Sequence, residues 1–104
     1  MAAPTFVLSP SSRLPEMGTS ALRKEIVGVI TVDGSVGGTA GQIPASTFGL
    51  NFMERSSDMI KDDNTLIIVT EPSFDGLSLL CQAAGTNAPA NAPAGNYQIE
   101  VFGY

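Results

Sequence analysis

Along most of this chain apolar residues recur at alternate positions, not at helical spacing. Lys24 to Val32 reads Lys-Glu-Ile-Val-Gly-Val-Ile-Thr-Val. That density of β-branched side chains suits a pleated surface and crowds a helix, so it predicts a strand, closed by a turn at Asp33-Gly34. Residues 34–41 form a glycine-rich loop, expected to be flexible. Pro44 suits the start of a helix and Gly49 its stop, which predicts a single helical turn between them. Leu50 to Ser56 alternates, with Leu50, Phe52 and Glu54 opposite Asn51, Met53 and Arg55, and predicts a second strand. Asp62-Asp63-Asn64 is a turn, and Thr65 to Glu71 predicts a strand ended by Pro72, which has no amide to donate to a ladder. Asp75-Gly76 turns the chain into a strand over Leu77 to Ala83. Asn96 to Phe102 is the last strand, with Tyr97, Ile99 and Val101 on one face. Between these two strands, residues 84–95 write Asn-Ala-Pro-Ala twice in tandem and read as a surface loop that should tolerate trimming of Asn87 to Ala90.

The first 20 residues follow a different rule. Pro4, Pro10 and Pro15 are spaced among Ser and Thr and bias their neighbours toward extended conformations. Phe6, Val7, Leu8, Leu14 and Met17 make the segment too apolar for a purely disordered tail. It reads as an arm, residues 1–20, that docks on a neighbouring subunit. Residues 21–104 form the folded domain. Short strands with turns between them, and no amphipathic helix, predict an all-β fold: a small antiparallel β-sandwich or open barrel. Without the arm and the loop, about 70 residues remain, a size that buries only about 60% of its unfolded surface and gains from contacts with partners.

Composition then narrows the chemistry. The 104 residues carry 5 basic and 10 acidic side chains, for a net charge of −5, with no His and a single Cys. Nucleic-acid binding needs a basic footprint to displace counterions from phosphates, so no nucleic-acid partner is expected. A polybasic membrane contact is disfavoured for the same reason. Without His the usual general base and the commonest metal ligand are missing. Cys81 alone makes neither an internal disulfide nor a zinc site, and in a strand it reads as a small apolar residue. The loop at 34–41 lacks the Lys and the following helix of a phosphate-binding turn. Asp58, Asp62, Asp63 and Asn64 lack the alternate spacing and terminal Glu of a calcium loop and read as a solvated turn. Neither Lys24 nor Lys61 sits in a Ser-x-x-Lys setting that would activate a serine. The expectation is no enzyme, no cofactor, no metal and no small-molecule substrate.

The aromatic residues divide the same way. Phe48, Phe52 and Tyr97 read as core. Phe6, Phe74 and Tyr104, with Val7, Leu8 and Leu14 of the arm, are the candidates to meet a partner. The N-terminal stretch lacks the basic start and apolar run of a signal peptide, and no stretch approaches the ~20 residues that span a bilayer. Synthesis in a cytoplasm is therefore expected.

Two stretches carry a resemblance. Val27-Gly28-Val29-Ile30-Thr31-Val32-Asp33, followed by the glycine-rich turn, Ile43-Pro44-Ala45 and Phe48-Gly49-Leu50, is the first. Ala94-Gly95-Asn96-Tyr97-Gln98-Ile99-Glu100-Val101-Phe102-Gly103 is the second. This order resembles small β-sandwich structural proteins of tailed bacteriophages, of the kind encoded beside the major capsid protein and proposed to decorate or cement the head. The resemblance spans roughly residues 25–103 and carries over no catalytic residue. It implies a virion structural protein at the capsid surface, made in the host cytoplasm, whose partners are the major capsid protein and copies of itself. The longer Pro-rich arm and the Asn-Ala-Pro-Ala loop depart from that pattern. The alternative is a glycan- or receptor-binding module of a phage fibre or adhesin, binding through loops 34–41 and 84–95.

Overall fold

The computed structural model describes residues 3–9, 24–38, 41–82 and 88–104. The fold is all-β, one antiparallel sheet curled into a half-barrel. Its strands are β1 (Thr5–Leu8), β2 (Lys24–Val32), β3 (Ile43–Pro44), β4 (Met53–Ser56), β5 (Met59–Lys61), β6 (Ile67–Pro72), β7 (Ser78–Gln82) and β8 (Gly95–Gly103). They lie in the order β1-β2-β8-β5-β6-β7-β3, and β4 pairs with β8 beyond the end of β5. The centre is the pair β2–β8, two nine-residue strands in register from Lys24 opposite Gly103 to Val32 opposite Gly95. Alternation sends Ile26, Ile30 and Val32 of β2, and Tyr97, Ile99 and Val101 of β8, to the concave side, where all are buried. Leu79 and Cys81 of β7, Ile43 of β3, Met53 of β4, Met59 of β5 and Ile68 of β6 join that core, with Phe48 and Leu50 beside them.

The Leu50 to Ser56 expectation holds only from Met53 onward. Leu50 and Met53 are both buried, so strict alternation from Leu50 fails, and the ladder slips a register between Met53 and Arg55. A bulge of this kind bends the strand and inverts the parity read from sequence. The Met59–Lys61 strand was not expected. It continues the line of β4 along β8 after a break at Ser57-Asp58. There the Ser57 amide donates to the Glu100 carbonyl (2.8 Å) and the Ser57 hydroxyl accepts from the Glu100 amide (2.9 Å). Thr70, the buried polar residue of the core face, is satisfied there too: its hydroxyl donates to the Ser57 carbonyl at 2.7 Å and lies 2.7 Å from the Ser56 hydroxyl.

The turns are as expected. Asp63 accepts from the amide and the hydroxyl of Thr65, and Asp75 accepts from the Ser73 hydroxyl and the Leu77 amide. These bonds, led by those from the Thr65 and Ser73 hydroxyls, hold both carboxyls below their ordinary value. The single helical turn is the 3₁₀ segment Ala45–Phe48, with Pro44 as its N-cap and Gly49 as its left-handed C-cap.

Two expectations are corrected. Thr5–Leu8, assigned to the arm, is an edge strand of the chain's own sheet, paired with β2 from Thr5 opposite Thr31 to Leu8 opposite Gly28. Phe6 turns inward and packs edge-to-face on Phe48 at 5.0 Å, joining β1 to the 3₁₀ turn. The rest of the proposed arm, residues 10–20, lies outside the described residues. The loops are also not free. Ala92 is fully buried; its amide donates to the Val36 carbonyl, and the Ala90 amide donates to the Cys81 carbonyl. The Asn91 side chain accepts from the Gly38 amide at 2.9 Å, and the Cys81 amide donates to the Gly37 carbonyl at 2.7 Å. Ala90, which ends the first Asn-Ala-Pro-Ala copy, and the glycine loop thus bond to β7, and the second copy bonds to the glycine loop. Tight backbone contact explains their small residues better than flexibility does.

Candidate interaction surface

The residues expected to meet a partner fall in three places. Phe6 is half-buried in the core. Its ring packs within the chain's own sheet, against Phe48. Val7 and Leu8, on the same strand, are 71% and 48% exposed. Leu14 lies outside the described residues. Phe74, at the β6–β7 turn, projects fully into solvent, beside an exposed Leu77. Tyr104 is 46% exposed, and one side of its ring stacks on Phe52 at 5.2 Å. Its carbonyl accepts from the amides of Asn51 and Phe52, and its amide donates to the Phe52 carbonyl, so it is a structural end as well as a surface residue.

The structure adds a feature that the sequence did not announce. On the convex side of the sheet, cross-strand partners run Val7–Val29–Gln98–Ile60–Ile67 across β1, β2, β8, β5 and β6. Every member of that row is exposed, and all but Gln98 are aliphatic. Residues directly opposite in neighbouring strands share a face and touch, so this is one apolar stripe and not scattered side chains. A shallow groove of about 420 Å³ beside it is lined by Val27, Ser57, Asp58, Ile60, Gln98 and Glu100. Val69, next along β6, is also exposed. Farther along the same side Arg55 lies over the Phe102 ring, 4.3 Å from its centroid, a cation–π contact that ties β4 to β8.

Sequence alone could not set this stripe. Ile67 faces out and Ile68 in, and Leu66-Ile67-Ile68-Val69 carries no polar residue to mark its parity. Ile60 belongs to the short strand that periodicity did not predict.

Two of the groups weighed for chemistry, Asp63 and Cys81, are engaged in structure. Asp63 is held by Thr65, and among the described residues no three acidic, Cys or His side chains gather as a metal site would require. Loops 34–41 and 84–95, the candidate glycan loops, do lie together in their described parts, with polar groups turned on each other. Cys81 is fully buried, its thiol directed at the Met59 sulfur 3.8 Å away. Burial pushes that thiol from 9.0 up to about 11. Between pH 9 and 11 an unfolded thiol ionises while the folded one stays protonated, so the thiol's share of stability is intact below pH 9 and lost across that window. Denaturation of the native chain and of Cys81→Ala should therefore converge as pH rises from 8.5 to 10.5, and a thiol reagent at pH 8 should label Cys81 only after unfolding. Rapid labelling of the folded chain would place the sulfur at the surface.

No protein-family model, curated protein or solved structure matches the chain. Among the described residues no helix is long and apolar enough to cross a membrane.

Proposed function

We propose that this protein is a non-enzymatic structural subunit of a virus particle, one that docks on the major capsid protein and reinforces the head. The observation that carries the docking role is the five-residue convex stripe with its adjoining groove. Contiguous exposed apolar area rimmed by polar groups favours a protein partner. The capsid as that partner rests on the resemblance of residues 25–103 to phage decoration proteins. The acidic balance, −5 overall, fits a subunit that avoids the packaged nucleic acid and stays soluble before assembly. Each site needs little affinity, because many copies on one shell act together.

The test is co-sedimentation with empty shells of the major capsid protein encoded in the same genome. The full chain should travel with the shells, and Ile60→Lys together with Ile67→Lys should reduce the bound fraction at least tenfold while leaving circular dichroism unchanged. Retention at the top of the gradient, with binding instead to a glycan panel, would replace this reading with the adhesin one.

A further inference from the structure

The edge strand β1 has an unpaired side, and its chemistry selects what fits there. The Ser9 amide donates to the Val27 carbonyl at 2.7 Å, which makes Ser9–Val27 a hydrogen-bonded pair of the β1–β2 ladder. In an antiparallel ladder such pairs alternate, so Val7 and Thr5 also bond toward β2. The amides and carbonyls of Phe6 and Leu8 then point away from β2, with no strand beyond them among the described residues. Nothing on Thr5–Leu8 blunts this edge: it has no charge, no proline and no register slip. The opposite edge is different. β3 has two residues, one of them Pro44, and runs straight into the 3₁₀ turn. It cannot receive a strand, so head-to-tail growth from β1 onto β3 is closed off.

We infer that β1 pairs with β1 of a second copy, antiparallel about a two-fold axis at Val7. In this register Phe6 faces Leu8 of the other copy and the reverse, forming four hydrogen bonds that use every free group of both residues. Sliding the axis to Phe6 sets Leu8 against Pro4, which has no amide to give, so a carbonyl of each copy is left without a donor. Pro4 thus works against that slip. Val7 meets its own symmetry mate at a non-hydrogen-bonded site, Cα atoms about 4.5 Å apart. That covers the most exposed aliphatic residue of the strand and joins the two convex stripes into one. An uncharged strand suits this arrangement, because any charge at Val7 would face itself across the axis. The pairing deepens the proposed structural role by naming how copies meet, yet it needs no shell.

Analytical ultracentrifugation of the purified full chain tests it, and its failure would leave shell binding standing. A concentration-dependent dimer is expected. Val7→Lys should weaken it at least tenfold, as should Val7→Glu, whereas an equimolar mixture of the two should dimerise again. Val7→Cys should form a disulfide-linked dimer on mild oxidation, since the separation lies within disulfide range. Thr5→Cys should not, because its mates sit about 14 Å apart in this register. Buried Cys81 stays out of the reaction. A chain that is monomeric at every concentration overturns the inference. So does a dimer indifferent to Val7→Lys, or cross-linking by Thr5→Cys as readily as by Val7→Cys.

Discussion

Gly28→Ala is expected to destabilise the protein by about 3 kcal/mol, although alanine normally strengthens a strand interior relative to glycine. Gly28 sits in the middle of β2, directly opposite Leu8, and the Phe6 ring lies across its bare Cα. A β-carbon there would stand 2.6 Å from Phe6 Cζ and closer still to the Val7 carbonyl oxygen. Backbone cannot yield as a flexible side-chain tip does, so β1 must shift as a unit. Overpacking of this kind costs about 1–3 kcal/mol. Losing the Phe6 contact with Phe48 and the core forfeits part of the ~1.5–3 kcal/mol that burying a phenylalanine contributes. Urea denaturation gives the magnitude, and limited proteolysis within residues 3–9 shows whether β1 has left. A Gly28→Ala chain as stable as the parent, with the same cleavage pattern, would mean that β1 does not rest on Gly28.

That glycine also shows where the sequence was legible. The β2 strand is plain because its nine residues are rich in β-branched side chains. What the glycine accommodates is a segment about 20 residues earlier in the chain, and no local pattern records that contact. The same holds for Phe6. Prolines nearby announced an extended backbone, correctly, but extension is equally compatible with a free arm and with an edge strand. Only pairing with Thr31 to Gly28 decides between them. The inward face of β8 was legible because Tyr97, Ile99 and Val101 alternate with Gln98 and Glu100. The convex stripe was not, because Val29, Ile60 and Ile67 are as apolar as their buried neighbours. Parity there depends on a three-residue strand and its pairing with β8 and β6, features set by tertiary fit. Low-complexity composition misled most. Asn-Ala-Pro-Ala reads as a surface loop open to trimming, whereas Ala90 of its first copy bonds to β7 and Asn91 and Ala92 of its second bond to the glycine loop.

The junction of those three segments is where one methyl group should do comparable damage. Gly37 has φ +109° and its position faces Cys81 across a close contact. A β-carbon would fall 2.7 Å from the Cys81 sulfur and 3.3 Å from the Ala92 amide nitrogen. Gly34, three residues earlier, also has positive φ, at +94°, yet a β-carbon there would meet only the Ala94 nitrogen at an ordinary 3.6 Å. The pair separates two causes. Gly34→Ala carries the backbone strain alone, about 1–2 kcal/mol for an L-residue in left-handed space. Gly37→Ala carries the same strain plus overpacking against β7, for a total of about 3 kcal/mol. The larger loss should come with a second sign. Pushing on the Cys81 sulfur opens the seal formed by Gly37, Ala92 and Met59, so a thiol reagent at pH 8 should reach Cys81 in folded Gly37→Ala but not in folded Gly34→Ala. Equal losses from the two substitutions, with Cys81 protected in both, would mean that the glycine loop does not pack on β7. The laced junction would then be no part of the core.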